Sequence, residues 1–315
     1  MRLVFMGTPD FASASLEALL RSDDSVVGVV TQPDRPKGRG QILTPSPVKL
    51  LAQRAQIPLL QPLKMKDPEF LHALAGWSPD LIAVVAFGRI LPPAILSLPP
   101  RGCINVHGSL LPKYRGAGPI QWAIVNGETE TGITTMLMDE GMDTGAMLLQ
   151  EALPITPDDT AGTLSPRLAA LGGRLLVETI ARLKAGTLVP RPQDSSRATL
   201  APLLKKEDGA IDWALPATAL ANRVRGLSPW PGAHIRMAGG DRWTIWRALA
   251  LPGPVTEPPG VIVAITNEAI HVATGDGILA VMELQPANRR RMAVSQYLAG
   301  HPIAVGVRLG GPALS

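Results

Sequence analysis

The chain has 315 residues, 46% hydrophobic and 18% charged, a net charge of +4 and one cysteine, Cys103. This length favours two domains over one, no apolar run approaches the ~18–20 residues of a membrane span, and the start MRLVFMGTPDFAS lacks a signal-peptide pattern, so a soluble cytoplasmic protein is expected. A lone cysteine excludes an internal disulfide and no Cys/His spacing suggests zinc; the basic excess lies at the C-terminal end, with 19 Lys/Arg against 18 Asp/Glu over 1–200 but 11 against 8 over 201–315, which suits either a polyanionic partner or a solvated surface.

Strands are expected at 2–7 (RLVFMG), 26–32 (VVGVVTQ), 58–62 (PLLQP), 81–88 (LIAVVAFG), 102–108 (GCINVHG) and 132–139 (GITTMLMD). Between them, helix-period segments fall at 14–22, 47–56, 67–77 and 118–127. Near-continuous apolar strands alternating with helices imply an α/β class with a doubly wound, mostly parallel sheet covered on both faces. Such sheets bind ligands beyond the carboxyl ends of their strands. A long helix follows at 163–186, closed by Lys-Ala-Gly. Residues 187–204 hold three prolines and two serines with no period and read as a connector. A catalytic domain is therefore expected over 1–188, a linker over 189–204 and a second domain over 205–315. In the latter, a helix centred within 211–227 precedes short strands AHIRM, RWTIWRALAL, GVIVAIT, AIHVATG and GILAVMELQP, a pattern that suits a small β-barrel of oligonucleotide-binding-fold type.

The first strand ends in MGTPDFA, with one glycine where a dinucleotide fingerprint has three, so neither NAD nor ATP is implied; Asp10 is the expected cap of the first helix. In INVHGS, Asn105 and His107 stand at i and i+2 of a strand, so both side chains leave from one face. An amide donor beside a group that titrates near neutrality suits an oxyanion and a proton transfer; a hydrogen-bonded histidine at an ordinary strand end gives the same pattern. MDEGMDTGAM then frames Asp143 between glycines in a loop expected at the same sheet edge, where its carboxylate can orient the imidazole. AFGRILP (86–92) and SLLP (109–112) border that edge and suit one flat, partly polar ligand. TQPDRPKGRGQ carries Arg35, Lys37 and Arg39 with one acid, Asp34, as a loop tracking a phosphate backbone would. Lys205, Lys206, Arg223, Arg225 and Arg289 to Arg291 add a second basic set, and Trp213, Trp230, Trp243 and Trp246 read as packing rather than base-stacking platforms.

The run GCINVHGSLLPKYRGAGPIQWAIVNGETETGITTMLMDEGMDTG resembles the folate-dependent formyltransferases, a family acting on aminoacyl-tRNA, glycinamide ribonucleotide or sugar nucleotides. The resemblance implies Asn105, His107 and Asp143 as the catalytic set, with Ser109, Leu110, Leu111 and Pro112 as the folate segment and the turn of Phe87, Arg89, Ile90 and Leu91 at the folate pocket. It implies 10-formyltetrahydrofolate as formyl donor and no metal. The basic loop resembles the insertion by which the tRNA-directed branch reaches the acceptor end of initiator methionyl-tRNA, with Arg35, Lys37 and Arg39 as tRNA contacts and Arg39 in the wedging position. KKEDGAIDW…RVRGLSPWPGA resembles that branch's C-terminal domain, with Lys205 and Lys206 on the tRNA. A monomer is expected. Two other readings stay open at this point: formylation of an amino sugar nucleotide by the same site, and an RNA-binding module whose catalytic-looking residues are inert.

Overall fold

The structure is a computed structural model that describes residues 1–37, 40, 42–237 and 240–310. The chain forms two compact units: Met1–Pro119, Glu130–Pro154 and Ser165–Pro202 make the first, and Ile120–Thr129, Ile155–Leu164 and Leu203–Ser315 the second. The opening half runs β1 (Arg2–Gly7), α1 (Asp10–Leu20), β2 (Ser25–Val30), β3 (Arg35–Lys37), β4 (Ile42–Thr44), α2 (Pro47–Arg54), β5 (Leu59–Leu60), α3 (Pro68–Gly76) and β6 (Leu81–Val85). It continues through α4 (Pro93–Leu96), β7 (Cys103–His107), α5 (Pro119–Val125), β8 (Glu130–Leu137), β9 (Met147–Pro154) and α6 (Ala161–Lys184).

In the first unit, β5, β2, β1, β6, β7, β8 and β9 lie in that order in one sheet. The first five are parallel; β8 runs antiparallel to β7, and β9 to β8. Leu3, Val4, Phe5 and Met6 of β1 are all fully buried, so both faces of the sheet are covered, as the unbroken apolar run requires. From β1 the chain lays β2 and β5 on one side and β6 and β7 on the other. The loops leaving the carboxyl ends of β1 and β6 therefore diverge and open a crevice there. Helix starts follow local chemistry: Ser46 Oγ accepts from Lys49 N at 3.1 Å ahead of Pro47, and Asp67 caps Glu69 N at 3.0 Å ahead of Pro68. Asp10 departs from its expected role. It is the first helical residue, Pro9 takes the cap position without a side-chain bond, and the Asp10 charge acts on the helix dipole instead.

Two strand features escape the sequence pattern. Strands β3 and β4 pair as a short antiparallel hairpin whose first strand lies inside the basic stretch 31–41 read as a loop and whose second follows it. β3 carries Pro36, and the side chains of β4 are exposed, so no half-buried alternation marks them. β9 closes the sheet edge, and its mixed burial hides the period of two.

The second unit contains α7 (Ala217–Gly226), β10 (Ala233–Arg236), β11 (Arg242–Leu251), β12 (Ile262–Ile265), β13 (Ile270–Ala273), β14 (Ile278–Pro286), β15 (Met292–Ala293) and α8 (Val294–Leu298). Its strands form a separate antiparallel sheet ordered β10, β11, β14, β13, β12, with β15 paired to β14. Among the described residues no ladder joins β10 to β12, so the sheet is a partly open one. Ile211, Trp213, Leu220, Trp243, Val272 and Leu284 are among the side chains of its core. No helix among the described residues is long and apolar enough to cross a membrane.

Candidate active site

Strand β7 carries Asn105 and His107 to the carboxyl edge of the first sheet, between β6 and β8: Asn105 stands beside Val84 and Met136, and His107 beside Thr134. The loop after β8 returns Asp143 to them. Asn105 Nδ2 donates to Asp143 Oδ1 at 3.3 Å, and His107 Nδ1 stands 3.5 Å from Asp143 Oδ2. Gly116 N donates to the same Oδ2 at 2.9 Å. The other imidazole nitrogen, Nε2, lies 2.8 Å from the Tyr114 carbonyl oxygen. A carbonyl only accepts, so Nε2 carries a hydrogen and Nδ1, facing the carboxylate, is left as the nitrogen that gains or loses a proton. His107 is only 5% exposed, which keeps this contact out of bulk water.

Backbone geometry makes this loop specific to its residues. Asp143 has φ +54, a left-handed conformation that Asp tolerates better than most residues. At Gly145, a Cβ would lie 1.8 Å from the Leu137 carbonyl oxygen, so no side chain fits. Inside the loop, Asp139 Oδ1 accepts from Gly141 N at 3.0 Å and from Thr144 Oγ1 at 2.7 Å.

A cavity of about 140 Å³ opens beside Asp143, lined by Arg89, Ile90, Leu91, Met136, Met138 and the 139–143 loop. That is below the ~300 Å³ at which whole drug-sized ligands are usually held, so it takes one end of a ligand. Ile90 and Met142 are 79% and 64% exposed, an apolar rim suited to a flat ring. Of the expected folate residues, Arg89, Ile90 and Leu91 line this cavity, whereas Phe87 lies in the core and Ser109 to Pro112 are not among its lining residues. Ser109 is fully buried and its hydroxyl donates to Lys113 O at 2.6 Å. Leu111 N donates to Thr134 Oγ1 at 3.1 Å, and Leu111 O accepts from Gln150 Nε2 at 2.7 Å.

A second, more open hollow of about 370 Å³ lies at the ends of β1, β2 and β6, among Thr8, Gln32, Arg35, Thr44, Ser46 and Ala86. It fills the crevice that the strand order creates. Gln32 Nε2 donates to Phe87 O at 2.7 Å, and Arg35 Nη2 donates to Gln32 Oε1 at 2.6 Å. Lys37 lies in β3. Arg39 lies outside the described residues. The root of this hairpin is tied by Lys49 Nζ to Asp34 Oδ2 at 2.6 Å and by Gln61 Nε2 to Asp34 Oδ1 at 2.9 Å. These donors, Lys49 first, hold the Asp34 carboxyl below the usual carboxylate range. A carboxyl depressed on folding contributes stability that is complete above its unfolded value of ~4 and is lost as pH falls through the lower folded value. Asp34→Ala is accordingly expected to speed amide hydrogen exchange in β3 and β4 severalfold at pH 7, while the wild-type hairpin loosens only below pH ~4. Unchanged exchange in the variant would remove the tether.

In the second unit Lys205 and Lys206 are exposed. Arg223 and Arg225 are instead engaged with main chain, Arg223 on Asp208 O and Arg225 on Thr156 O and Asp159 O, and Arg291 pairs with Glu283. Trp213 and Trp243 are core residues as expected, while Trp230 is 51% exposed. Among the described residues no group of three or more His, Cys, Asp or Glu is placed to hold a metal. Sequence reasoning missed Arg115 and Gln193. Arg115 is buried, and its guanidinium Nε and Nη2 donate to Gln193 Oε1 at 3.0 and 2.8 Å. The signal available for Arg115 was a cation between Tyr and Gly just after the histidine; for Gln193 there was none.

A family model described as formyl transferase matches residues 1–180, and one described as formyl transferase, C-terminal domain, matches 203–302. The chain is 53% identical over 308 residues to methionyl-tRNA formyltransferase of Trichlorobacter lovleyi, covering 98% of this chain and 96% of that protein. It is 52% identical over 303 residues to the protein of that name from Desulfotalea psychrophila, covering 96% and 94%. Among solved structures it is similar to an N-formyltransferase from Helicobacter canadensis in complex with folinic acid and dTDP-3-aminofucose, with TM-score 0.66, 19% identity, and 92% and 99% of the two chains covered. It is also similar to HypX from Aquifex aeolicus in complex with tetrahydrofolic acid, at TM-score 0.60 and 17% identity, where 95% of this chain spans about half (47%) of that one.

Proposed function

The chain belongs to the formyl transferase family, and from that premise we propose that Asn105, His107 and Asp143 transfer the formyl group of 10-formyltetrahydrofolate to the free amino group of initiator methionyl-tRNA. The product is N-formylmethionyl-tRNA, the initiator of translation. One observation carries the assignment of the site: amide, imidazole and carboxylate meet at the carboxyl edge of the sheet, with a cavity opening beside the carboxylate. The acceptor is supported by relatives of that name at about half identity over nearly the whole chain.

The amine nitrogen attacks the formyl carbon and a tetrahedral oxyanion forms. One N–H of the Asn105 amide is turned to Asp143, and its other N–H is the donor for the oxyanion. His107, when protonated at Nδ1, sets positive charge beside that amide; the long 3.5 Å contact to Asp143 leaves the hydrogen available. Asp143 holds the ring and relays the amine's proton. Collapse breaks the bond from the formyl carbon to N10 of the folate, which takes up a proton as tetrahydrofolate leaves. The flat ring of the donor enters the cavity of Arg89, Ile90 and Leu91, with Phe87 in the core cluster that holds Leu91, while Ser109, Leu110, Leu111 and Pro112 shape the histidine loop. Arg35, Lys37 and Arg39 meet the acceptor end, and Lys205 and Lys206 the tRNA backbone.

Within this reading, residues 1–188 are the catalytic domain, 189–204 connect, and 205–315 bind tRNA; the enzyme works as a monomer in the cytoplasm. Incubation with 10-formyltetrahydrofolate and either methionyl-tRNA or an amino sugar nucleotide tests it. Formyl transfer to the sugar alone, or tRNA binding without transfer, would overturn the proposal. Arg39→Ala is expected to lower kcat/KM for tRNA ~10–100-fold, and the slope of log affinity against log salt by ~1, with folate affinity unchanged. Equal loss of folate affinity would place Arg39 elsewhere.

A further inference from the structure

The stretch between the two strand-rich regions of the sequence packs against the loop that follows His107. Met147 and Arg191 exchange main-chain hydrogen bonds at 2.8 Å each. Arg115 N donates to Thr199 O at 2.8 Å, Ala201 N donates to Arg115 O at 2.7 Å, and Tyr114 N donates to Thr199 Oγ1 at 2.9 Å. At Gly116, φ is +125 and a Cβ would lie 2.5 Å from Ala201 O, so the approach admits no side chain. Residues 191–201 are therefore a strap on the same turn that supplies the Tyr114 carbonyl to His107 and the Gly116 N–H to Asp143.

Within the strap, Gln193 directs its whole hydrogen-bonding capacity at the site. Its Nε2 donates to Asp143 O and to Gly145 O, both at 2.8 Å, and its Oε1 accepts the two N–H bonds of Arg115. A primary amide offers two hydrogens and two lone pairs, and all four are used. The orientation is set by its partners, since a flipped amide would turn its hydrogens on a guanidinium and its oxygen on two carbonyls. Asp143 holds a left-handed φ, a conformation that persists only where surroundings over-determine it.

We infer that Gln193 is a positioning residue for formyl transfer, holding the Asp143 carboxylate opposite His107 Nδ1 and locking it to Arg115 in the histidine turn. The inference rests on the catalytic reading of Asn105, His107 and Asp143. Gln193→Met keeps length and removes every hydrogen bond. Gln193→Glu keeps the acceptor for Arg115 but turns carboxylate lone pairs toward two carbonyl oxygens. In the full chain, both variants lower kcat for methionyl-tRNA ~10–100-fold, with KM for tRNA and for 10-formyltetrahydrofolate within about threefold.

Because Gln193 acts through Asp143, the losses are not additive. In single-turnover assays on an Asp143→Asn background, Gln193→Met costs less than about threefold further. A purely structural residue would instead lose activity in proportion to the folded fraction, read by circular dichroism, and would lose it equally in both backgrounds. That result, or wild-type kcat in both Gln193 variants, overturns the inference. Should both variants fail to fold, Arg115→Lys, which retains the charge but not the two-pronged contact with Oε1, takes the same cycle under the same criterion. Asn105→Ala and His107→Ala are assayed alongside: if they keep wild-type turnover the catalytic reading itself falls, whereas if they lose it and Gln193 variants do not, only the role of Gln193 falls.

Discussion

Asn105→Ala and His107→Ala are each expected to lower the turnover of formyl transfer by ~10²–10³ without unfolding the protein, the loss typical of removing one oxyanion donor. Asn105 belongs to a strand held on both sides by main-chain ladders to β6 and β8, which do not depend on its amide. Its removal takes away the amide N–H donor at this edge while leaving strand pairing intact. His107 is different in degree. It is buried, and its loss removes the hydrogen bond to the Tyr114 carbonyl together with the packing of the ring, which adds ~1–3 kcal/mol of destabilisation. A domain stable by ~5–15 kcal/mol survives that, so kcat is measured per folded molecule with thermal unfolding as the control. Turnover within threefold of wild type in both folded variants would refute the site.

Asp143→Asn is expected to lower kcat ~10²–10⁴, the span over which a positioned acid or base contributes, with KM for both substrates little changed. The carboxylate faces two donors, Asn105 Nδ2 and Gly116 N, together with His107 Nδ1, which donates when protonated. A carboxamide has one acceptor atom, so in either orientation its NH2 meets a donor, and the charge opposite the imidazole is gone. Asp143→Gly is the informative companion. Glycine adopts φ +54 without strain, so the loop keeps its path while the carboxylate vanishes. Both variants inactive means that the carboxylate acts; an active glycine variant means that only the turn mattered.

The sheet was legible because its strands are near-continuous aliphatic runs, and Asn105 with His107 was legible because a period of two puts both on one face. Asp143 was legible from glycines on either side. What stayed hidden has no local period. Gln193 is defined by partners 48 to 78 residues away, Asp143, Gly145 and Arg115, and lies among prolines. The hairpin that begins in the basic stretch is built from three-residue strands without half-buried alternation. Ser109 to Pro112, polar-then-apolar in sequence, suited a ligand wall, yet the burial of Ser109 turns its hydroxyl inward to Lys113.

A flexible connector absorbs added residues cheaply, at ~0.6 kcal/mol for each doubling of its length. Between Arg191 and Ala201 that tolerance does not apply, because a one-residue insertion or deletion would shift Gln193 or Thr199 out of register with Arg115. Natural length variation in this proline-rich stretch is thus expected only outside 191–201, at Gly186 to Val189 on one side or from Pro202 onward on the other.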